Sequence, residues 1–406
     1  MTVAKVDDNL LCDEAVRDPH AYFGRLRDEA VVQWNDRHRS WVVTGYADVV
    51  EGLRGNKLTA ERIAPFAESI LRSSDPAGPP SALAVLADWL VFKDPPDHTR
   101  LRKLVARAFT PGSVRVRGTE IQRTIDGLLD DLADREEADL IEHFAYPLPA
   151  IVIAGMLGAP AEDRCLFKHW SDLITSLVFG AYDRDDRHAR AASGMAELCD
   201  YLLALIDRFS REPADNLISV LLQSEDDDAL SREELVATCT LLLFGGHETT
   251  TNLIANGTRA LLQFPDQLSA LRSDPQLMPT AVEEILRFDG PARATVRLVR
   301  EDHELGGQLL QAGQRVFLVN LAANRDPTAF PEPDRLDIRR NPNLHLGFGF
   351  GIHYCLGAPL ARIEAQLALT SLIGRFPALA PAGDEPLQWH PTMLSRGLVK
   401  LPVRLR

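Results

Sequence analysis

His345-Leu346-Gly347-Phe348-Gly349-Phe350-Gly351-Ile352-His353-Tyr354-Cys355-Leu356-Gly357 is the stretch on which this chain turns. Three glycines at alternate positions precede His353 and a single cysteine. From Ala358 to Leu372 the apolar residues Leu360, Ile363 and Leu367 recur on one face, and Gly374 follows. That spacing predicts a helix ending just before the glycine. A tight loop thus brings a thiol to the start of a helix, where backbone N–H groups and the helix dipole favour a thiolate. Such a thiolate serves as a nucleophile, a zinc ligand or the axial ligand of a haem, and the rest of the chain must choose.

The 406 residues are 45% hydrophobic and 25% charged, enough to bury a large core. Length alone allows two or three domains, but no boundary separates two self-contained halves, so one domain over 1–406 is expected. A net charge of −14 argues against sequence-independent nucleic-acid binding. The five cysteines, Cys12, Cys165, Cys199, Cys239 and Cys355, form no CxxC pair. Their odd number and irregular spacing disfavour a disulfide framework and fit a reducing cytoplasm. Met1 to Glu14 has neither the basic nor the apolar region of a signal peptide and reads as a flexible terminus. No apolar run reaches the ~18 residues of a membrane span; the stretch around Leu241 to Phe244 is cut by Gly245-Gly246 and Glu248. A soluble, cytoplasmic protein is expected.

The fold class expected is mainly α, with small sheets near the two chain ends. Val31 to Trp34 and Trp41 to Thr44 read as a hairpin, His303 to Leu310 as another around Gly306-Gly307, Arg315 to Leu321 as a buried strand, and Leu398 to Leu405 as a last strand. Ile121 to Arg211 reads as helical, broken at Gly158-Ala159-Pro160 and at 182–186. Residues 73–80 and the acidic run 225–228 read as loops. Ser231 and Glu234 form a capping box, opening a helix that runs to about Leu262, far beyond the ~11–12-residue mean. Its middle is apolar nearly all round, so it should cross the interior.

Within that helix stands Gly245-Gly246-His247-Glu248-Thr249-Thr250. Each helical glycine costs roughly 1 kcal/mol relative to alanine, and an acid and a threonine follow at once in apolar surroundings. Further on, Glu284 and Arg287 are spaced i,i+3 and can pair. Pro333-Asp334-Arg335-Leu336 supplies another arginine. His98 and Arg102 lie four apart on a basic helix after Asp94-Pro95-Pro96-Asp97.

Together these resemble cytochromes P450 of the soluble bacterial type, over nearly the whole chain and in order. Phe348-Gly349-x-Gly351-x-His353-x-Cys355-x-Gly357 matches the haem-ligand signature in full. The resemblance implies the P450 fold, with haem b between the long central helix and the cysteine-ligand loop. Cys355 would be the axial thiolate, whose electron push favours O–O cleavage, and Gly357 in the same loop would also bind the cofactor. The acid–threonine pair would be catalytic: the glycines leave room for dioxygen, Thr249 holds it by a hydrogen bond and Glu248 feeds protons. His98, Arg102, Arg297 and His353 would bind the haem propionates, with Arg300 and His345 as further candidates. Glu284-x-x-Arg287 would pair with Arg335 to fix the cysteine loop; Leu336 stands where phenylalanine is usual.

The same resemblance places substrate beside Trp89, Phe179, Leu241, Phe244, Gly245, Thr295, Val296 and Leu394, with a lid around 177–182. Arg293 is either a recognition residue for a polar group or a structural arginine. The chain carries no flavin or nicotinamide module, so electrons would come from a ferredoxin-type donor and its reductase, docking on the basic helix Arg100 to Arg107. The function implied is a haem-thiolate monooxygenase that uses O2 to oxidise an apolar or amphipathic small molecule. Alternatives are a peroxide-driven haem-thiolate enzyme, a haem-based sensor or binding protein, and a zinc site built from His345, His353 and Cys355.

Overall fold

Strands Val32–Asn35 and Ser40–Val43 form the expected hairpin, with Val32 opposite Val43 and Asn35 opposite Ser40. In the computed structural model, which describes residues 4–6, 8–63, 82–180, 186–223, 229–383 and 385–406, this hairpin is only part of a six-stranded sheet. The loop expected at 73–80, the break at 182–185 and the acidic run 225–228 lie outside the described residues. The chain divides into two compact units: Met1–Leu58, Arg117–Leu148 and Thr249–Arg406, and Thr59–Val116 with Pro149–Glu248. The last of the four crossings between them falls between Glu248 and Thr249, inside the helix Arg232–Gln263.

The first unit is built on the sheet. Ser40–Val43 pairs in parallel with Arg315–Leu318, which pairs antiparallel with Thr295–Val299. Successive side chains of a strand point to opposite faces, and here both faces are covered. Trp41, Val43, Val316 and Leu318 pack on one side with Val49, Leu53 and Leu346. Val42, Val296 and Phe317 pack on the other with Tyr22, Phe23 and Met393. The strand beginning at Arg315 stops at Leu318, and the apolar residues after it form the short helix Asn320–Ala323. A small second sheet orders Ala380–Pro381, Pro402–Arg404 and Glu137–Asp139. The acidic Glu137–Asp139 segment has low strand propensity and gave no sequence signal. Only Pro402–Arg404 of the expected last strand pairs, apart from a bridge at Leu398.

The terminus expected to be flexible carries structure: Lys5–Val6 pairs with Trp34 and Asn35, and Asp13–Arg17 is helical. Leu10 is buried, and Arg293 donates to the carbonyls of Leu10 (2.8 Å), Ala15 (3.1 Å) and Thr392 (3.1 Å). Arg293 is therefore a structural arginine, its fork spent on three backbone acceptors rather than on a ligand.

In the second unit, helices Arg164–Val178 and Arg187–Arg211 close tightly, because a Cβ at Gly194 would stand 2.7 Å from Leu173 Cβ. The capping box forms: Glu234 N donates to Ser231 Oγ (3.1 Å) and Ser231 N to a Glu234 carboxylate oxygen (2.9 Å). Among the described residues no helix is long and apolar enough to cross a membrane.

A buried charge hub anchors the first unit. Asp289 accepts from Arg396 Nε (2.6 Å), His20 Nε2 (3.1 Å) and Arg259 (3.2 Å). Burial, and then the neighbouring Arg325 charge, hold His20 down from 6.5 to about 4. A histidine kept neutral in the fold stabilises fully above its unfolded pKa and loses that contribution as pH falls. The thermal midpoint should therefore drop as pH falls from 6.5 through about 4, and His20→Asn should flatten part of that drop, measured by circular dichroism melts across the window.

Candidate functional site

The cysteine loop keeps its shape because its glycines are irreplaceable. Gly349 and Gly351 have φ of +71° and +72°, which L side chains rarely adopt. A Cβ at Gly351 would also stand 2.8 Å from Leu53 O. After the short turn Gly351–His353, the Cys355 amide donates to Phe348 O (2.9 Å) and so closes the loop. The half-buried Cys355 then precedes the helix Ala358–Arg375, which has a proline in its first turn. The helix runs through Gly374 and ends before Phe376-Pro377, where proline cannot continue it.

Glu284 and Arg287 are both buried, with Nε to Oε2 and a terminal nitrogen to Oε1 each at 2.8 Å. Arg287 also donates to the carbonyls of Asn324 (2.9 Å), Pro333 (2.8 Å) and Arg335 (3.0 Å). The third arginine of the cluster is Arg340, not Arg335. Arg340 Nε reaches both Glu284 oxygens at 3.2 Å, while the Arg335 side chain is exposed beside Glu332. The turn in which Arg340 N donates to Asp337 O carries Arg340 back, and Arg335 offers only its carbonyl. Asn343 Nδ2 and the Asp337 amide complete the carboxylate's shell. Asn324 Oδ1 then takes the Leu346 amide (2.7 Å), which ties the cluster to the start of the cysteine loop.

Two candidate haem-binding cations belong to this unit: Arg297, nearly buried in Thr295–Val299, and the half-buried His353. In the second unit His98 is buried and Arg102 half-buried on Asp97–Ala106, a helix started by the Asp94 carbonyl accepting the His98 amide (3.0 Å). Within the first unit the donor set is a half-buried thiol, an arginine and a histidine. A Cβ at Gly357 would meet nothing within 4 Å, so the loop leaves open space two residues after the cysteine. This chemistry fits a flat dianionic macrocycle with sulfur on its metal. It does not fit zinc. His345 Nδ1 accepts the Gly347 amide (3.1 Å) and its Nε2 meets Glu283 (3.0 Å). Among the described residues no three His, Cys, Asp or Glu converge on a metal position.

On the central helix, all residues from Leu235 to Thr258 are buried except Leu241, Gly245, Gly246, Glu248 and Thr249. Residues 241, 245, 248 and 249 fall at i, i+4, i+7 and i+8, one stripe of the helix. The two glycines differ. A Cβ at Gly246 would stand 2.9 Å from Ile153 Cγ1, so this glycine serves packing. A Cβ at Gly245 would meet only Leu241 Cδ1, at 4.0 Å.

Three of the proposed substrate residues, Trp89, Phe179 and Phe244, form one aromatic cluster in the second unit: Phe244 lies 5.6 Å from Trp89 and 5.3 Å from Phe179, ring to ring. Trp89 is fully buried and donates to Thr240 Oγ1 (2.9 Å), which makes it the floor of the cluster. In the first unit Thr295 Oγ1 accepts from Asn320 (3.1 Å), Leu394 is half-buried, and Val296 is buried and packs in the sheet core.

Sequence reasoning missed Arg340, the Asp289 hub and the ion pair of Glu283 with Arg362 (2.7 and 2.8 Å). The only signals were the doublets Glu283-Glu284 and Arg339-Arg340. Arg340→Ala should cost about 2–3 kcal/mol, the worth of charge-assisted bonds to a buried carboxylate. Arg335→Ala should cost under about 1 kcal/mol, as exposed pairs do. Urea unfolding of the two variants separates these outcomes.

Residues 73–405 match the family model for cytochrome P450. The chain is 41% identical to Cytochrome P450 107B1 of Saccharopolyspora erythraea, covering 100% of this chain and 99% of that one. It is also 41% identical to Cytochrome P450 monooxygenase PikC of Streptomyces venezuelae, covering 99% and 94%. The crystal structure of P450BioI, in complex with an acyl carrier protein bearing hexadec-9Z-enoic acid, superposes with a TM-score of 0.90 at 36% identity, covering 97% of this chain and 100% of that one. A glycine-bound thiol before a helix, a buried Glu–Arg–Arg cluster and full-length similarity of this order lead to one assignment: the chain belongs to the cytochrome P450 family, whose members bind haem b through a cysteine thiolate.

Proposed function

We propose that residues 1–406 act as a single haem domain that oxidises an apolar or amphipathic small molecule, with electrons from a ferredoxin-type donor and its reductase. The observation that carries this reading is the accessible stripe of Leu241, Gly245, Glu248 and Thr249 on a helix whose other residues from Leu235 to Thr258, Gly246 apart, are buried. An interior helix that keeps a bare glycine, a carboxylate and a hydroxyl on one open stripe is arranged for a small polar reactant, not for packing.

Cys355 would hold haem b through its sulfur, and His98, Arg102, Arg297 and His353 would neutralise its propionates. When bound, the haem supplies dioxygen activation. The chain supplies the rest. Gly245 leaves space where a side chain would intrude. Thr249 holds a proton at its hydroxyl and Glu248 replenishes it, general acid work done by a positioned carboxyl and hydroxyl. The apolar walls at Leu241, Phe244 and Phe179 exclude water and favour an apolar substrate.

On the basic helix expected to receive the donor, Arg100 is engaged within the fold. Its guanidinium grips the Glu234 carboxylate at the cap of the central helix, leaving Lys103 and Arg107 as the exposed charges of the basic helix. In the first unit Leu344, Phe350, Ile352 and Tyr354 are exposed around the cysteine loop. An apolar centre of this kind suits a transient protein contact, and we assign it to the electron donor.

In the reduced, CO-bound protein a thiolate-type Soret band is expected, and its absence from haem-loaded protein refutes the haem-thiolate reading. Thr249→Ala should then release peroxide in place of product; unchanged coupling removes Thr249 from proton delivery. Ile352→Glu should slow reduction by a ferredoxin about tenfold, a change of about 1.4 kcal/mol, and leave reduction by dithionite unchanged. An equal rate with ferredoxin excludes this face as the docking site.

A further inference from the structure

Beside the buried Glu284 cluster lies a second network that the mechanism leaves unused. Glu283, the preceding residue on Met278–Asp289, is only partly buried and points elsewhere. Both its oxygens take a fork from Arg362, at 2.7 Å from Nε and 2.8 Å from a terminal nitrogen. His345 Nε2 meets the same carboxylate at 3.0 Å. Arg362 lies on the cysteine helix, seven residues after Cys355. Its other terminal nitrogen donates to Tyr354 Oη (3.1 Å), and its guanidinium carbon sits 4.6 Å from the centre of the Phe348 ring. Phe348 is the residue whose carbonyl takes the Cys355 amide. His345, at the other end of the loop, takes the Gly347 amide on Nδ1. One carboxylate therefore controls both ends of the loop: its start through His345, and its cysteine end through Arg362, Tyr354 and Phe348. Burial opposes ionisation of Glu283, yet the hydrogen bonds from Arg362 and His345 hold it at about 2, so it stays charged throughout the working range.

We propose that Glu283 is a positioning residue for the axial thiolate: through Arg362 and His345 it fixes the Phe348–Tyr354 segment and sets the charge balance beside Cys355. This rests on the haem-thiolate reading. Bidentate Arg–carboxylate pairs add geometric specificity as well as energy, and partners behind a metal ligand orient it and tune the metal. Neutralising Glu283 leaves the Arg362 charge uncompensated beside Tyr354, the residue that precedes Cys355. That favours the reduced, more negative state and loosens the loop.

The test uses the haem-loaded full chain. Glu283→Gln should convert its thiolate-type CO complex to the thiol-type complex about tenfold faster in mild urea, about 1.4 kcal/mol, and should raise the midpoint potential. Glu283→Asp should recover part of both. Arg375→Gln removes an exposed pair with Asp130 at the far end of the same helix and should change neither. If Glu283→Gln fails to take up haem, Arg362→Lys, which keeps the charge and loses the fork, gives the same readouts. Wild-type conversion rate and potential in Glu283→Gln, or in Arg362→Lys where that variant stands in, overturn the proposal. A wild type without the thiolate-type band is a separate failure, that of the reading beneath it.

Discussion

The pair of Glu284 and Arg287 is the constraint on which the first unit depends. Both are buried, and a buried ion pair earns little stability unless its remaining lone pairs and protons are used. Here they are. Arg287 donates to three loop carbonyls, and Glu284 accepts from Arg340, Asn343 and the Asp337 amide. The helix Met278–Asp289 thereby becomes a template for the irregular segment between 324 and 343. That segment contains too little regular structure to hold itself. What it delivers is the Leu346 amide to Asn324, and from there the loop that ends in Cys355.

The central helix shows how one sequence feature serves two ends. Adjacent glycines weaken a helix by propensity, and their cost falls on the stretch that carries Glu248 and Thr249. Gly246 answers it with close packing on Ile153, while Gly245 leaves its space open. Stability is given up at one position and partly regained at the next, where it does not obstruct the accessible stripe.

Much of this was legible in advance because it is local. The cysteine signature, the capping box, both hairpins and the long helix each depend on residues within a few positions of one another. The misses are all matters of which distant group meets which. Nothing near Arg335 or Arg340 says which of them reaches Glu284; the turn at Asp337 decides it. Arg293 looked the same in sequence as a recognition residue or a brace, and only the carbonyls of Leu10, Ala15 and Thr392 distinguish them. The strand at Glu137–Asp139 has no propensity of its own and exists because Pro402–Arg404 offers it an edge.

The parallel pairing of Ser40–Val43 with Arg315–Leu318 has a consequence for how the chain is made. Trp41 bonds to Gln314 across 273 residues of sequence. A hairpin emerging early from the ribosome must therefore wait, with one edge unsatisfied, for a strand made much later, and closing so long a loop is slow. The second unit has no such wait, since all its residues are in place once Glu248 is added. Vectorial synthesis thus favours assembly of the aromatic cluster around Phe244 first and of the cysteine loop last. The thiol is kept unstructured until nearly every partner that will hold it has been made.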